Sequence, residues 1–598
     1  MTLIPLKIIR QTAAEILAYA VHEIFPGVKL ISGVTTDLGF YYDFLMEQPL
    51  SEELLFLIEE RMRGIAKESV KIEMLEMMRQ NAMEMFRHQN QPYKVDELQN
   101  SLDNIVQIWK IDTFYDVCQP PYGVNTSIAQ AFKLQKVQRK TVLLPFYDKS
   151  GKRKLEQKQI IRIIGTACSN KSDLKDFLKK VEAAKKKDHR LLAPSMGLFK
   201  IEDDVFPGAI FWLPKGKFLR DSLLNFLSSA DKNLKFQPVL TPNIVNLSFL
   251  KKTCKNDKNY DSSLVVEIED EECILSPKKS VLHGLLFRSN PREINDLPIR
   301  YTEISESFAA GNESKFNGLF ETRDFTSDTA NIFCAEAQVV DELISCLQLI
   351  DETARMLALK IDYVLSSPSL KNSNLVESFD KGNVWLEKAL NATGLQFIID
   401  KESASNYATH HKGLNHCGPS IEMRITDALG REWDGSSILI DLSTRESLGL
   451  HYLDANGRKQ APIMITRSIF RSLERYIALL IESYAGNLPS WLLECEVKVL
   501  PLAERNTAYA RKVLELLDQA KVRASIDDRQ GKLGEKIHAA ESERVPYMLI
   551  VGDNEEKGGT VTVRTCMQGT DVSGVELDSF LKQLHEEHES NLPSQMRR

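Results

Sequence analysis

The chain has 598 residues and a net charge of −7, with 43% hydrophobic and 27% charged residues. At roughly 100–200 residues per domain this is too much for one core, and about three to five domains are expected. The composition is that of a globular protein, and its acidic balance argues against a bulk nucleic-acid coat while allowing local basic patches.

Residues 1–10 lack the apolar stretch of a secretory leader, and no apolar run nears the roughly 20 residues of a membrane span. Nine cysteines without a CxxC pair read as reduced thiols, so a cytoplasmic location is expected. Residues 11–24 predict a helix, because Ile16, Leu17, Ala20, Val21 and Ile24 share one face. The aromatic segment 39–44 predicts a strand. Residues 171–190 predict one amphipathic helix: Leu174, Phe177, Leu178 and Val181 form its seam, and lysines dominate the other face. That face suits either a solvated linker or contact with phosphates. Residues 195–485 predict a mixed α/β body with a strand at 437–442 and long helices at 335–359 and 467–484. The alternation beyond residue 490, with strands at 496–500 and 547–551 and helices at 507–520 and 576–585, predicts a small doubly wound domain.

Several landmarks then fall in a specific order. They are the segment 39–44 with Cys118, then Asp188-His189-Arg190, Pro207-Gly208, Phe211-Trp212 and Pro242. Leu297-Pro298-Ile299-Arg300 follows with Glu303, then Arg323-Asp324-Phe325-Thr326, Gly418-Pro419 with Ile421-Glu422, and residues 467–475. Arg544-Val545-Pro546-Tyr547 and Val563-Arg564-Thr565 close the series. In this order they resemble threonyl-tRNA synthetases, class II enzymes, along nearly the whole chain. The resemblance starts after the small domain with which that family usually opens. It implies an α+β multidomain fold: an editing-like domain at 1–170, a linker helix at 171–194, a class II antiparallel-sheet catalytic domain at 195–485 and an anticodon-binding-like domain at 486–598.

The same resemblance implies that much of the family's chemistry has been replaced. Family members hold a zinc with one cysteine and two histidines, and the matching positions here are Ser280, Asn331 and Thr466. Cys273, His283 and Cys334 lie near in sequence; they read as buried thiols and an ordinary histidine, with a substitute metal site as the alternative. The two phosphate-binding arginines of motif 2 become Ala309 and Glu321, and its adenine-binding glutamate becomes Gly311. Motif 3 keeps Glu474 and Arg475, with Arg475 expected to be a structural salt-bridge partner. Ser420 stands for a lysine, Thr329 for an aspartate, and Asp434 and Leu439 for glutamines. In the editing domain Gln11 and Glu15 replace a His-x-x-x-His pair and Tyr122 replaces a further histidine, leaving Cys118. Of the anticodon-reading positions Glu555 and Arg564 persist, and two others are Gln530 and His538.

The reading that follows is a synthetase-like protein without catalysis, needing no cofactor and binding tRNA, a tRNA-like RNA or a protein partner as a homodimer. The alternatives are an active threonine–tRNA ligase with a reworked zinc-free site, for which ATP and zinc remain the family's cofactors, and an enzyme activating another small molecule.

Overall fold

The structure is a computed structural model that describes residues 4–36, 38–46, 50–101, 103–117, 123–147, 152–253, 264–309, 316–366, 376–400, 418–566 and 569–591. The chain divides into two compact units, Met1–Ala183 and Ala184–Arg598. Among the described residues no helix is long and apolar enough to cross a membrane.

In the first unit the expected helix begins earlier, at Leu6, and runs to Ile24. Ile9 and Ala13 extend the apolar face that Ile16, Leu17, Ala20 and Val21 define, and all six are buried. This helix packs on a four-stranded antiparallel sheet in the order Lys29–Thr36, Gly39–Leu45, Arg153–Cys168, Ala131–Tyr147. A second antiparallel sheet joins Ile72–Met78, Ile105–Ile111 and Phe114–Val117. The short helix Pro92–Gln99 starts with proline, whose fixed φ and missing N–H suit a first turn.

The single helix expected over 171–190 is two. The first, Lys171–Lys185, buries none of its residues, and the second is His189–Met196. The Asp188 carboxylate accepts from the Arg190 N–H and so caps a new helix where the lysine-rich run ends.

The second unit centres on an eight-stranded sheet. Its order is Gln237–Pro238, Ile299–Phe308, Asp324–Cys334, Ile463–Ser468, Glu432–Ile440, Ser420–Thr426, Ile361–Ser366, Phe397–Asp400. Helices Pro214–Asn233, Val339–Met356, Val376–Thr393 and Leu473–Ser483 contribute to the core packed on one face of it. The helix expected over 467–484 starts six residues late. Residues 463–468 pair on both sides as a central strand, and Ser472 caps the helix by accepting from the Arg475 N–H. In that strand Arg467 points into the core, fully buried, and its guanidinium meets Asp231 at 2.7 and 3.2 Å. The strand predicted over 437–442 is Glu432–Ile440.

The C-terminal sheet has the order Ala524–Ile526, Val497–Pro501, Tyr547–Val551, Thr560–Thr565, Asp571–Glu576. Only its first three strands are parallel. The last two run antiparallel, so the sheet is mixed rather than doubly wound throughout. The tight helix Asp553–Gly558 reverses the chain too soon for a crossover of a dozen or more residues.

Candidate functional site

The pleat of the central sheet gathers several of the positions singled out from the sequence. Side chains alternate between faces, and Ser420, Leu439, Thr466 and Asn331 are paired in one row across four neighbouring strands. Thr329 lies two residues from Asn331 and shares its face. Ala330 and Ile332, on the opposite face, are buried in the hydrophobic core.

At one end of this row the side chains form a continuous hydrogen-bond chain. The Thr466 hydroxyl donates to Asn331 Oδ1 at 2.7 Å, which turns Asn331 Nδ2 toward His283 Nδ1 at 2.8 Å. The imidazole therefore accepts at Nδ1 and donates from Nε2 to Glu303 Oε2 at 3.0 Å. Glu303 also receives Lys279 Nζ at 2.9 Å and the Thr241 hydroxyl at 2.7 Å. Burial pushes the Glu303 carboxyl up, but hydrogen bonds from His283, Lys279 and Thr241 outweigh it and hold the group at about 2. Ser280 lies buried on the same helix as Lys279 and His283, its hydroxyl without a hydrogen-bond partner among the described residues.

This donor set does not fit zinc, which takes thiolate, imidazole or carboxylate ligands. Ser280, Asn331 and Thr466 supply two hydroxyls and an amide, and both ring nitrogens of His283 are engaged. Nor does the structure assemble Cys273, His283 and Cys334 into a substitute. Cys334 is three residues from Asn331, so it faces the other side of the sheet, where its thiol meets the Ile463 carbonyl at 3.7 Å. Among the described residues the one group of His, Cys, Asp and Glu with metal-like spacing is Asp188, His189 and Glu482. There too both ring nitrogens are taken: Nδ1 by Glu482 at 2.7 Å and Nε2 by the Leu319 N–H at 3.0 Å.

The positions expected at the phosphate end carry no free cation that the structure directs outward. Ala309 offers no charge, Glu321 is exposed, and Gly311 lies outside the described residues. Arg323, two residues beyond Glu321, lies between the rings of Phe206 and Phe316 at 4.3 and 4.2 Å and donates to the Ala309 carbonyl at 3.2 Å. Arg475, expected to be a salt-bridge partner, is instead tied to main-chain carbonyls, those of Phe320 and Asp434, each at 3.1 Å. Burial lowers its affinity for a proton. Glu474 is buried, ion-paired with Arg220 and bonded to the Thr326 N–H at 2.8 Å. Next to Arg475, Trp433 stacks on Phe320 with ring centres 4.4 Å apart and planes 6° from parallel.

In the first unit Gln11 and Glu15 share a helix face, with Gln11 Nε2 donating to Glu15 Oε1 at 3.3 Å. Cys118 and Tyr122 lie outside the described residues. The structure adds a cluster that sequence reasoning missed. The Tyr42 hydroxyl donates to Asp116, whose other oxygen meets Lys94 Nζ at 2.6 Å, all three side chains being buried. Burial opposes the Lys94 charge, yet Asp116, Glu97 and Glu15 hold the ammonium at about 12. Burial and the charges of Asp116 and Glu15 push the Tyr42 phenol well up. Tyr42 and Asp116 are 74 residues apart, and no local pattern marks the set.

In the C-terminal domain Gln530 and His538 are exposed. Glu555 is bound to the Gly552 N–H at 3.0 Å and the Thr562 hydroxyl at 2.9 Å. Arg564 is bridged to Glu541 at 3.0 Å and Asp571 at 2.9 Å. Glu541 and His538 lie one turn apart on the helix Leu533–Ser542, so the exposed and the bridged positions are neighbours.

A central sheet that is antiparallel except at its two edge strands, followed by a mixed α/β domain, defines a class II aminoacyl-tRNA synthetase fold. Residues 264–484 match the "tRNA synthetase class II core domain (G, H, P, S and T)" family and residues 496–587 the "Anticodon binding domain" family. A threonine–tRNA ligase of Clostridium kluyveri is 32% identical over 582 residues, 97% of this chain and 88% of the relative. That of Petrotoga mobilis is 33% identical over 584 residues, again 97% and 88%. The chain belongs to the threonyl-tRNA synthetase family. A structure described as the RNA binding domain of threonyl-tRNA synthetase from Cryptosporidium parvum superposes with a TM-score of 0.60 at 26% identity, covering 67% of this chain and 98% of that one. Prolyl-tRNA synthetase from the same organism shares the fold, with a TM-score of 0.53 at 13% identity, covering 67% and 76%.

Proposed function

We propose that this member of the family binds tRNA or a tRNA-like RNA without activating threonine. The observation that carries the reading is the hydrogen-bond chain from Thr466 through Asn331 and His283 to Glu303. Side chains at two of the three positions where the family binds metal satisfy one another, and their next neighbour is locked to a carboxylate. At the phosphate end Glu321 places negative charge where a triphosphate needs cations, and Arg475 is engaged with carbonyls. Losing one preorganised donor costs about 10²–10³ in rate, and here two arginines and the metal ligands are replaced.

The RNA reading rests on the anticodon-binding domain, with Gln530, His538, Glu555 and Arg564 as its candidate contacts. A homodimer is part of the proposal. Leu240, Ile244, Phe249, Val265 and Ile268 leave apolar surface exposed beside Pro242, the segment through which the family dimerises. A protein partner in place of RNA is the reading that remains if no RNA binds.

Pyrophosphate exchange with ATP and a panel of amino acids, run alongside tRNA binding, tests the proposal. The expected result is background exchange with every amino acid and measurable tRNA binding. Robust threonine-dependent exchange would establish the active, zinc-free ligase instead.

A further inference from the structure

The helix Leu533–Ser542 ends on a carboxylate. Glu543 is its C-cap residue, at the end where the helix dipole favours a cation and opposes an anion. Local structure therefore gives no reason for a glutamate there. The reason lies across the seam between the class II core and the C-terminal domain. One oxygen, Glu543 Oε2, accepts from Lys215 Nζ at 2.6 Å and from Lys498 Nζ at 2.7 Å. Lys215 is in the first turn of the core helix Pro214–Asn233, and Lys498 is in the C-terminal strand Val497–Pro501. Burial pushes the Glu543 carboxyl up, but the bonds from the two lysines outweigh it and hold the group below its ordinary value.

Packing does not seal the seam at this point. A cavity of about 20 Å³ lies beside the bridge, lined by Met196, Leu198 and Lys215 of the core and by Cys495, Glu543 and Val545 opposite. It has room for a single water. Two ammoniums bound to one oxygen are close neighbours, and the Lys498 side chain is only 11% exposed. Without an anion between them they repel across the seam, more strongly than they would in open water. A second tie lies at the linker. Trp491, Leu492 and Leu493 are buried in the core cluster, and Arg523 of the C-terminal domain donates to the carbonyls of Leu493 and Ser490 at 2.9 and 3.0 Å. That tie does not involve Glu543, so it persists as a pivot when the bridge is lost.

We infer that Glu543 is an electrostatic latch: its charge holds the C-terminal domain against the core helix Pro214–Asn233, and without that charge the domain tilts away about the linker. His538, Glu541 and Arg564 move with the domain, so the latch fixes where they stand relative to the central sheet. It does so whatever those residues bind.

The test uses the full chain and the rate at which iodoacetamide modifies Cys495. Burial pushes this thiol up, and its Sγ meets Ser525 Oγ at 3.1 Å, so it reacts slowly while the seam is closed. Protection of the buried Cys346 reports that the core stays folded, and slow hydrogen exchange in Tyr547–Val551 reports the same for the C-terminal domain. Glu543→Gln keeps the shape of the side chain and removes its charge. It should speed modification of Cys495 about tenfold or more while both reporters stay protected. Lys215→Gln/Glu543→Gln also removes one of the two facing ammoniums, and should return the rate to within about twofold of the wild type. A bridge that merely added a contact would give the opposite order, with the double variant the looser. A wild-type rate in Glu543→Gln overturns the inference, and so does a double variant as reactive as the single one. If Glu543→Gln does not fold, folding of the double variant is the same rescue, and failure of both overturns the latch.

Discussion

Thr466 and Asn331 face each other across two antiparallel strands, and the hydroxyl of one donates to the amide oxygen of the other at 2.7 Å. That contact fixes which way the amide points and so which atom meets His283. A threonine and an asparagine thus satisfy each other by neutral hydrogen bonding, at two of the positions that the proposal matches to metal ligands.

Purified protein should accordingly carry no stoichiometric zinc at this pocket, as read by elemental analysis. Replacing Asn331 by alanine should cost about 1–3 kcal/mol of stability, because it strips a partner from both His283 Nδ1 and the Thr466 hydroxyl in a buried site. One tightly held zinc per chain, lost on replacing Cys273, His283 or Cys334, would contradict this account.

Glu303 makes stability depend on acid. Its folded carboxyl is held at about 2, below the ordinary value of 4.5, so its contribution is fully present above about pH 4.5 and fades as pH falls toward 2. A shift of that size corresponds to roughly 3 kcal/mol. In urea unfolding, Glu303→Gln should be markedly less stable than the wild type at pH 7, and the gap should narrow between pH 5 and pH 3. A gap independent of pH would mean that the carboxylate charge is not what matters.

Arg564 is bridged to Glu541 and Asp571, an arrangement that holds the guanidinium in one orientation. If it reads a base, Arg564→Ala should weaken binding of the preferred tRNA by about 1–3 kcal/mol and relax discrimination among tRNAs. An equal loss for every RNA would assign it a phosphate contact instead. Charge reversal at Lys185, Lys186 and Lys187 should weaken all RNAs alike.

Light scattering at micromolar concentration should give the mass of a dimer. Leu240 is 86% exposed in the single chain, and Leu240→Glu should shift the protein toward monomer by placing a charge in an apolar contact. A monomeric wild type would remove the homodimer from the proposal.

The sequence made the helices legible where apolar spacing was regular, as at Leu6–Ile24 and Thr507–Gln519. It misled over 467–484, where a buried strand and a helix share one apolar stretch and only pairing on both sides separates them. It also misled over 171–190, because a lysine-rich run hides the cap at Asp188. The landmark order singled out the candidate positions one by one, but not their alignment in a row across the sheet, which depends on strand register. The Tyr42–Asp116–Lys94 cluster was invisible because its members come from a strand, a strand and a helix far apart in the chain. Arg475 was foreseen as structural, although its partners proved to be carbonyls.

Arg467 and Thr466 are adjacent in one strand and point in opposite directions. The buried bridge from Arg467 to Asp231 pins the strand's register from the core side, since a one-residue slip would carry a guanidinium out of the core and a hydroxyl into its place. The register therefore depends on the core face of the strand, and the hydrogen-bonded side chains on the other face do not set it. Selection can act on the two faces separately: side chains at positions 466 and 331 can be exchanged, one substitution at a time, without shifting the register. The same separation lets new side chains enter that face by substitution alone, so the backbone keeps an evolutionary option that its present side chains do not use.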